Sequence, residues 1–339
     1  MLTNSDASTP LTTPDYQNLN PDTILQAVES VGYVCDARTL TLNSYENRVY
    51  RVGIEDEAAI IAKFYRPNRW SDAQILEEHA LTLDLAEQEI PVVAPIVLTG
   101  KTLFEFGHYR FSLYPLMAGH APELDNPQHL EWLGRSIGRV HAVSRCAPYA
   151  TRPTIDLDSY VITPVQWIQA HDFIPLELKT SYQAIMDFLI PKLTQALSQI
   201  SYRNIRLHGD CHIGNILWSQ ELPHFVDFDD SRMGPAIQDL WMFLSGYQDE
   251  QTQQLQKVLK GYTQFSDFDP TELALIEPLR TLRIIHHAGW LAQRWSDPAF
   301  PINFPWFNSI RYWEEHILQL KEQMALLDEP PLVWQPTYE

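Results

Sequence analysis

The sequence predicts an α+β fold in two lobes, with a small antiparallel sheet in the amino-terminal lobe and a larger helical lobe after it. Three observations carry this prediction. Between residues 39 and 114 short apolar runs with strand period are broken by turn residues. Beyond about residue 120 the apolar period becomes helical. A polar-rich stretch with two short strands, Ile205 to Trp241, interrupts those helices. Sheet lobe, strand–loop–hairpin and helical lobe, in that order, leave a cleft between the lobes.

Residues 1–18 are polar, contain Pro10 and Pro14, and read as a flexible tail. The amino-terminal lobe is placed at 19–117 and the carboxy-terminal lobe at 118–339, because Pro115 and Gly119 mark the change of composition. Asn20-Pro21-Asp22 starts a helix that Gly32 stops, enclosing Ile24, Leu25 and Val28. From Thr39 to Tyr65 two apolar-alternating runs flank a polar tip, Asn43 to Asn47. The run AAIIAKFY then gives a strand with one charge, Lys63, which either snorkels from an edge or is paired in a cleft. The cleft is favoured because a helix with carboxylates follows at once.

That helix begins at Ser71, where Gln74 completes a capping box. Its expected apolar face is Ile75, Leu76, His79, Ala80, Leu83 and Ala86. Glu77 and Glu78 flank the face symmetrically, so periodicity does not choose between them. Further strands are expected near Ile96–Leu98, Leu103–Phe106 and Tyr109–Tyr114, with Gly100-Lys101 turning between the first two. Asn126-Pro127 then starts a helix with Leu130, Leu133, Ile137 and Val140 on one side. Another spans about 178–200, where Pro191 is expected to kink it.

The chemistry concentrates in IRLHGDCHIGNILWSQELPHFVDFDD. A Gly209 turn presents Asp210, Asn215 follows five residues on, and a hairpin returns to Asp227. Three oxygen-bearing side chains converging on one point suit a hard cation such as magnesium. The spacing matches phosphoryl transfer, in which an aspartate accepts the proton of the attacking hydroxyl while asparagine and a second aspartate hold the metal on nucleotide phosphates. A polar-lined hairpin is the bland alternative. The sharper rival is a metal hydrolase using His208, Asp210 and His212, which on a continuing strand would share one face. Gly209 and Gly214 argue for a bent loop instead, and the rival leaves Asn215 unused.

A net charge of −19 argues against nucleic-acid binding and requires local cations at any nucleotide site. No apolar run approaches the ~20 residues of a membrane span, and the first ten residues lack a signal-peptide pattern. Cytoplasmic localisation is therefore expected, as a monomer. The three cysteines, Cys35, Cys146 and Cys211, lack metal-type spacing and fit a reducing compartment.

Lys63, a following helix glutamate, HGDCHIGN and VDFDD occur in the order of the aminoglycoside phosphotransferase and choline kinase-like superfamily, which this chain resembles. LNSYENRVY, KFYRPNRW, ILEEH, GPAIQDLW and DPAFPINFPW look like a bacterial serine/threonine kinase group in it, linked to envelope and oxidative stress. The resemblance implies a two-lobed protein kinase fold, ATP as substrate, magnesium as cofactor, and a protein or small-molecule hydroxyl as acceptor. By residue it implies Asp210 as proton acceptor, with Asn215 and Asp227 as metal ligands. Ser44 would sit against ATP and Lys63 on the α/β-phosphates. Glu78 would pair with Lys63, because the family places this glutamate seven residues before a leucine, here Leu85. Asp239 resembles an aspartate that braces the catalytic loop. Two departures stand out. Ser44-Tyr45-Glu46-Asn47 replaces a glycine-rich loop, and only 11 residues separate Asp227 from Asp239, too few for a long activation segment. The second keeps a small-molecule acceptor, an amino alcohol or sugar, as the alternative; a nucleotide-binding regulator without turnover is a more remote one.

Overall fold

The computed structural model describes residue 16 and residues 18–335. The tail expected over 1–18 lies outside these except for Tyr16 and Asn18. Strands β1 (Cys35–Thr41), β2 (Arg48–Ile54), β3 (Ile60–Phe64), β4 (Phe104–Phe106) and β5 (Tyr109–Pro115) form one antiparallel sheet in the order β1-β2-β3-β5-β4. Lys63 therefore lies on the central strand, opposite Val49 and Ser112, and not on an edge. Strand period 2 puts Ile60, Ala62 and Phe64 on the face opposite to Lys63. All three join Val52, Phe111 and Leu113 in a core shared with Ile24, Ala27 and Val28 of helix α1 (Pro21–Glu29). Asn20 caps α1, its Oδ1 accepting from Thr23 N at 2.9 Å.

Helix α2 (Asp72–Glu87) has the expected capping box, with Ser71 N donating to Gln74 Oε1 at 2.9 Å. Its buried face differs from the expected one: Ile75, Glu78, His79, Leu81, Thr82 and Leu85 are buried, while Leu76 is 45% exposed. His79 and Thr82 are satisfied by partners that periodicity does not register. His79 bonds Tyr65 Oη and Thr102 Oγ1, each at 2.8 Å. Leu81 and Leu85 belong to the large helical core, so α2 packs across to it.

That core is built by α3 (Pro127–Ser144), α4 (Thr163–Ala170), α5 (Lys179–Gln199), α6 (Gln248–Tyr262), α7 (Ile276–Arg294), α8 (Ala299–Asn303) and α9 (Ile310–Leu326). Leu130, Leu133, Ile137 and Val140 of α3 are all buried, as their spacing predicts. Gly134 and Gly261 let α3 and α6 approach closely, since a Cβ on Gly134 would overlap the Val258 carbonyl and one on Gly261 the Glu131 carbonyl. Helix α5 runs through Pro191.

Two short sheets carry the polar stretch: β6 (Ile205–Arg206) with β9 (Met233–Gly234), and the hairpin β7 (Ile216–Ser219) with β8 (Leu222–Phe225). The hairpin turns on Gln220 and Glu221, both with positive φ. The expected strand at 96–98 is instead a single bridge, Leu98 to Lys101, closed by two 2.9 Å bonds around Thr99-Gly100. Ile96 N does reach Leu113 O at 2.7 Å, but the segment is too short to ladder. Among the described residues no helix is long and apolar enough to cross a membrane.

Candidate active site

The turn after β6 is held from below by Asp239, whose carboxylate is fully buried. Its Oδ2 accepts from His208 N at 2.7 Å and its Oδ1 from Gly209 N at 2.9 Å. His141 Nε2 lies 3.1 Å from the same Oδ2. Gly209 has φ +88°, and a Cβ there would overlap the Asp230 carbonyl oxygen, so both backbone conformation and space demand glycine. His208 spends Nε2 on Val226 O at 2.9 Å. Its Nδ1 faces the Asp210 backbone N–H at 3.4 Å, so both ring nitrogens are engaged with backbone. Among the described residues no set of three His, Cys, Asp or Glu side chains gathers to hold a metal, and the hydrolase arrangement does not assemble.

The braced turn presents Asp210, whose side chain keeps 25% of its exposure. Arg283 Nη1 donates to Oδ1, and His212 Nε2 lies 3.4 Å from Oδ2. Burial pushes the Asp210 carboxyl up, but the His212 hydrogen bond and the Arg283 charge outweigh it, leaving the group below its ordinary value. Asn215 ends a short 3₁₀ turn, 213–215, and donates from Nδ2 to Asp210 O at 3.0 Å. Its backbone carbonyl takes the Val226 N–H at 3.0 Å, which brings Asn215 beside the chain segment that leads to Asp227.

Asp227 is not on the returning strand, which ends at Phe225. It has φ +59°, a left-handed conformation that aspartate tolerates better than most residues, and its side chain is 49% exposed. Asn215 Oδ1 and Asp227 Oδ2 carry no hydrogen bond among the described residues. Two hard oxygen donors on adjoining segments, one of them half-exposed and charged, fit a magnesium-type cation.

Lys63 crosses the cleft to this point. Its Nζ lies 2.7 Å from Asp227 Oδ1 and 3.4 Å from Asp229 Oδ1. Burial alone would lower the lysine, but Asp227 and then Asp229 more than offset it, so the amine is held charged. The expected Lys63–Glu78 ion pair is therefore not the one this structure makes. Asp229 and Asp230 also bind Arg69, in strong competition for the same charges.

The structure does separate the two glutamates. Glu77 accepts backbone N–H groups of Ala150 (2.7 Å), Thr151 and Arg152 (2.9 Å), tying α2 to the helical region. Glu78 is 2% exposed, faces inward, and leaves Oε2 without a hydrogen bond. Burial raises its carboxyl to about 7, against the pull of Lys63 and Arg152. A carboxyl with a raised folded-state value stabilises fully below about 4.5, and that contribution is lost as pH rises through about 7. The shift corresponds to about 3 kcal/mol at most. Glu78→Gln is therefore expected to remove this loss, so that its melting temperature gains on the parent between pH 5 and 8. Glu77→Gln is expected to lose about 1–2 kcal/mol at every pH in that range. Thermal melts of the two variants against the parent check this, and subtraction removes the similar titration of Glu272, also raised to about 7.

Ser44 is half-buried in the 42–47 loop, and no hydrogen bond links it to the residues above. The loop's anchor is Glu46, whose carboxylate meets Trp290 Nε1, Arg294 (3.0 and 3.1 Å), Arg66 (3.1 Å) and Arg69 (3.6 Å). Asp297 adds bonds to Arg48 and Arg66, and Tyr45 packs edge-on to Phe304 at 4.8 Å. The sequence pattern marked neither Glu46 nor Asp297. A largely buried carboxylate beside three arginines and an indole N–H has no local signature.

A model of the phosphotransferase enzyme family matches residues 39–276. Stress response kinase A of Escherichia coli (strain K12) is 44% identical over 323 residues, 95% of this chain and 98% of the relative. Serine/threonine protein kinase RdoA of Salmonella typhimurium is 43% identical over the same shares. Among solved structures, amicoumacin kinase hAmiN in complex with AMP-PNP, Ca2+ and Ami superimposes with a TM-score of 0.68 at 21% identity, covering 88% of this chain and 93% of that one.

Proposed function

Because the chain belongs to the phosphotransferase enzyme family, we propose that it is an ATP- and magnesium-dependent serine/threonine protein kinase of a bacterial envelope or oxidative stress response, acting in the cytoplasm as a monomer. The observation that carries this is the Asp210–Asn215 bond in one braced turn, with half-exposed Asp227 on the adjoining segment. In this reading the acceptor hydroxyl gives its proton to Asp210, its oxygen bonds the γ-phosphorus, and the bond to the β-phosphate oxygen breaks as ADP leaves. Asn215 and Asp227 would hold magnesium, which supplies charge neutralisation on the phosphates.

The chain's own groups do the rest. Lys63 exchanges Asp227 for α/β-phosphate oxygens while keeping a carboxylate nearby. Glu78, with one oxygen unpartnered, is the group that then positions it. Ser44 meets the nucleotide from the 42–47 loop, which Glu46 fixes to α7. The low basicity of Asp210 suits a reaction whose loose transition state needs orientation of the hydroxyl more than early proton removal.

The amino-alcohol or sugar alternative draws on the short 227–239 segment, which folds into 3₁₀ turns at 228–230 and 236–239. Relatives named as protein kinases favour the protein acceptor. Incubation with γ-labelled ATP, with magnesium or with chelator, tests the choice. Metal-dependent label on serine or threonine of peptide and protein acceptors is expected. Label that appears only on added amino alcohols or sugars would overturn it, and magnesium-independent turnover would overturn the metal assignment.

A further inference from the structure

Asp210 has an arginine for its nearest partner. Arg283, on α7, donates from Nη1 to Oδ1, although a cation on a proton acceptor lowers its basicity. The neighbouring arginines are committed elsewhere. Arg69 serves Asp229, Asp230 and Glu46; Arg232 serves Asp230; Arg294 serves Glu46. Arg283 by contrast is 39% exposed at its side chain. Its single hydrogen bond among the described residues uses one of five guanidinium N–H donors.

We propose that Arg283 selects the acceptor by binding an anionic group beside the reacting hydroxyl, so that the substrate is a serine or threonine flanked by an acidic side chain. This rests on the phosphotransferase reading above, and on the place of Asp210 in it. A hydroxyl that reaches Asp210 must come within a few ångströms of the Arg283 guanidinium. An ammonium carried next to that hydroxyl meets a like charge, whereas a carboxylate gains a charge-assisted, bidentate-capable partner. Asp230, on the segment after Asp227, is already matched by Arg69 and Arg232. The overall charge of −19 opposes an acidic partner, but surface charges beyond about 8 Å are largely screened at physiological ionic strength. The contact at Arg283 is not.

The test uses serine peptides that differ only in flanking Glu, Ala or Lys, with the full chain and Mg-ATP. The parent is expected to favour the Glu peptide over the Ala peptide by about tenfold in kcat/KM, and to use the Lys peptide least. Arg283→Gln should erase that ratio, and Arg283→Lys should restore part of it. A fall in kcat that is equal for all three peptides in Arg283→Gln would mean that Arg283 only positions Asp210 or grips phosphate, and overturns the proposal. A second measurement is anisotropy of a labelled Glu peptide with magnesium and AMP-PNP. Tight binding to the parent and about tenfold weaker binding to Arg283→Gln supports the proposal; no binding, or equal binding, overturns it. Binding without transfer would sink the protein-kinase reading alone, and transfer without acid preference would sink this inference alone.

Discussion

Asp210→Asn should bind Mg-ATP with near-normal affinity, melt close to the parent temperature, and transfer phosphate at least ~100-fold more slowly. Loss of a general base typically costs about 10²–10⁴-fold in rate. The structure supports the expectation of an intact fold. Asp210 keeps 25% exposure, and its partners are Arg283, itself part-exposed, and His212. A pair of that kind contributes about 1 kcal/mol or less. The brace of the turn is Asp239, which holds two backbone N–H groups and a buried histidine. Asp239→Asn, which turns an N–H donor toward those donors, should therefore unfold the protein far more readily than Asp210→Asn. Nucleotide titration, a thermal melt and a transfer assay decide the matter. Unfolding of Asp210→Asn, or unchanged transfer, would make Asp210 structural. Because Asp210 lies below the ordinary carboxylate range, its ionisation should be complete at neutral pH, and it should contribute no limb to the rate profile there.

Asp227→Ala should abolish metal-dependent ATP turnover, a loss of roughly 10³-fold or more if the cation supplies several kcal/mol to the transition state. Alanine is a poor choice at φ +59°, where it costs about 1–2 kcal/mol of backbone strain. Asp227→Asn tolerates that conformation, keeps the size and removes the charge, so it separates chemistry from folding. Lys63 retains Asp229 in either variant, which limits the cost of a buried cation. His212→Ala removes a 3.4 Å neighbour of Asp210 and the cap on Gly214 N. Its effect should be mild. Magnesium-dependent rates for the three variants check this. Near-normal turnover in Asp227→Asn, or tightly bound zinc lost with His212, would contradict the assignment.

The sequence by itself determined what is decided within a few residues. The Asn20 cap, the Ser71–Gln74 box and the Asp210–Asn215 spacing appear where the pattern put them. Each is a contact over at most five positions, whose geometry follows from backbone dihedrals. The strand of Lys63 and the buried face of α3 were legible for the same reason, through their period, whereas the strand's central place in the sheet came only from its pairing with β2 and β5.

Tertiary structure alone decided the partners of the buried charges. Lys63 meets Asp227 across 164 residues, Arg283 meets Asp210 across 73, and Glu46 meets Arg294 across 248. Glu77 and Glu78 flank the apolar face that the sequence predicts for α2, and only the packed structure distinguishes them, burying Glu78 and bringing the 150–152 backbone to Glu77. A buried charge takes whichever opposite charge the packed lobes bring within a few ångströms, because desolvation penalises every unpaired alternative. Periodicity fixes the side of a helix or strand a residue occupies, but not what the rest of the chain places against it.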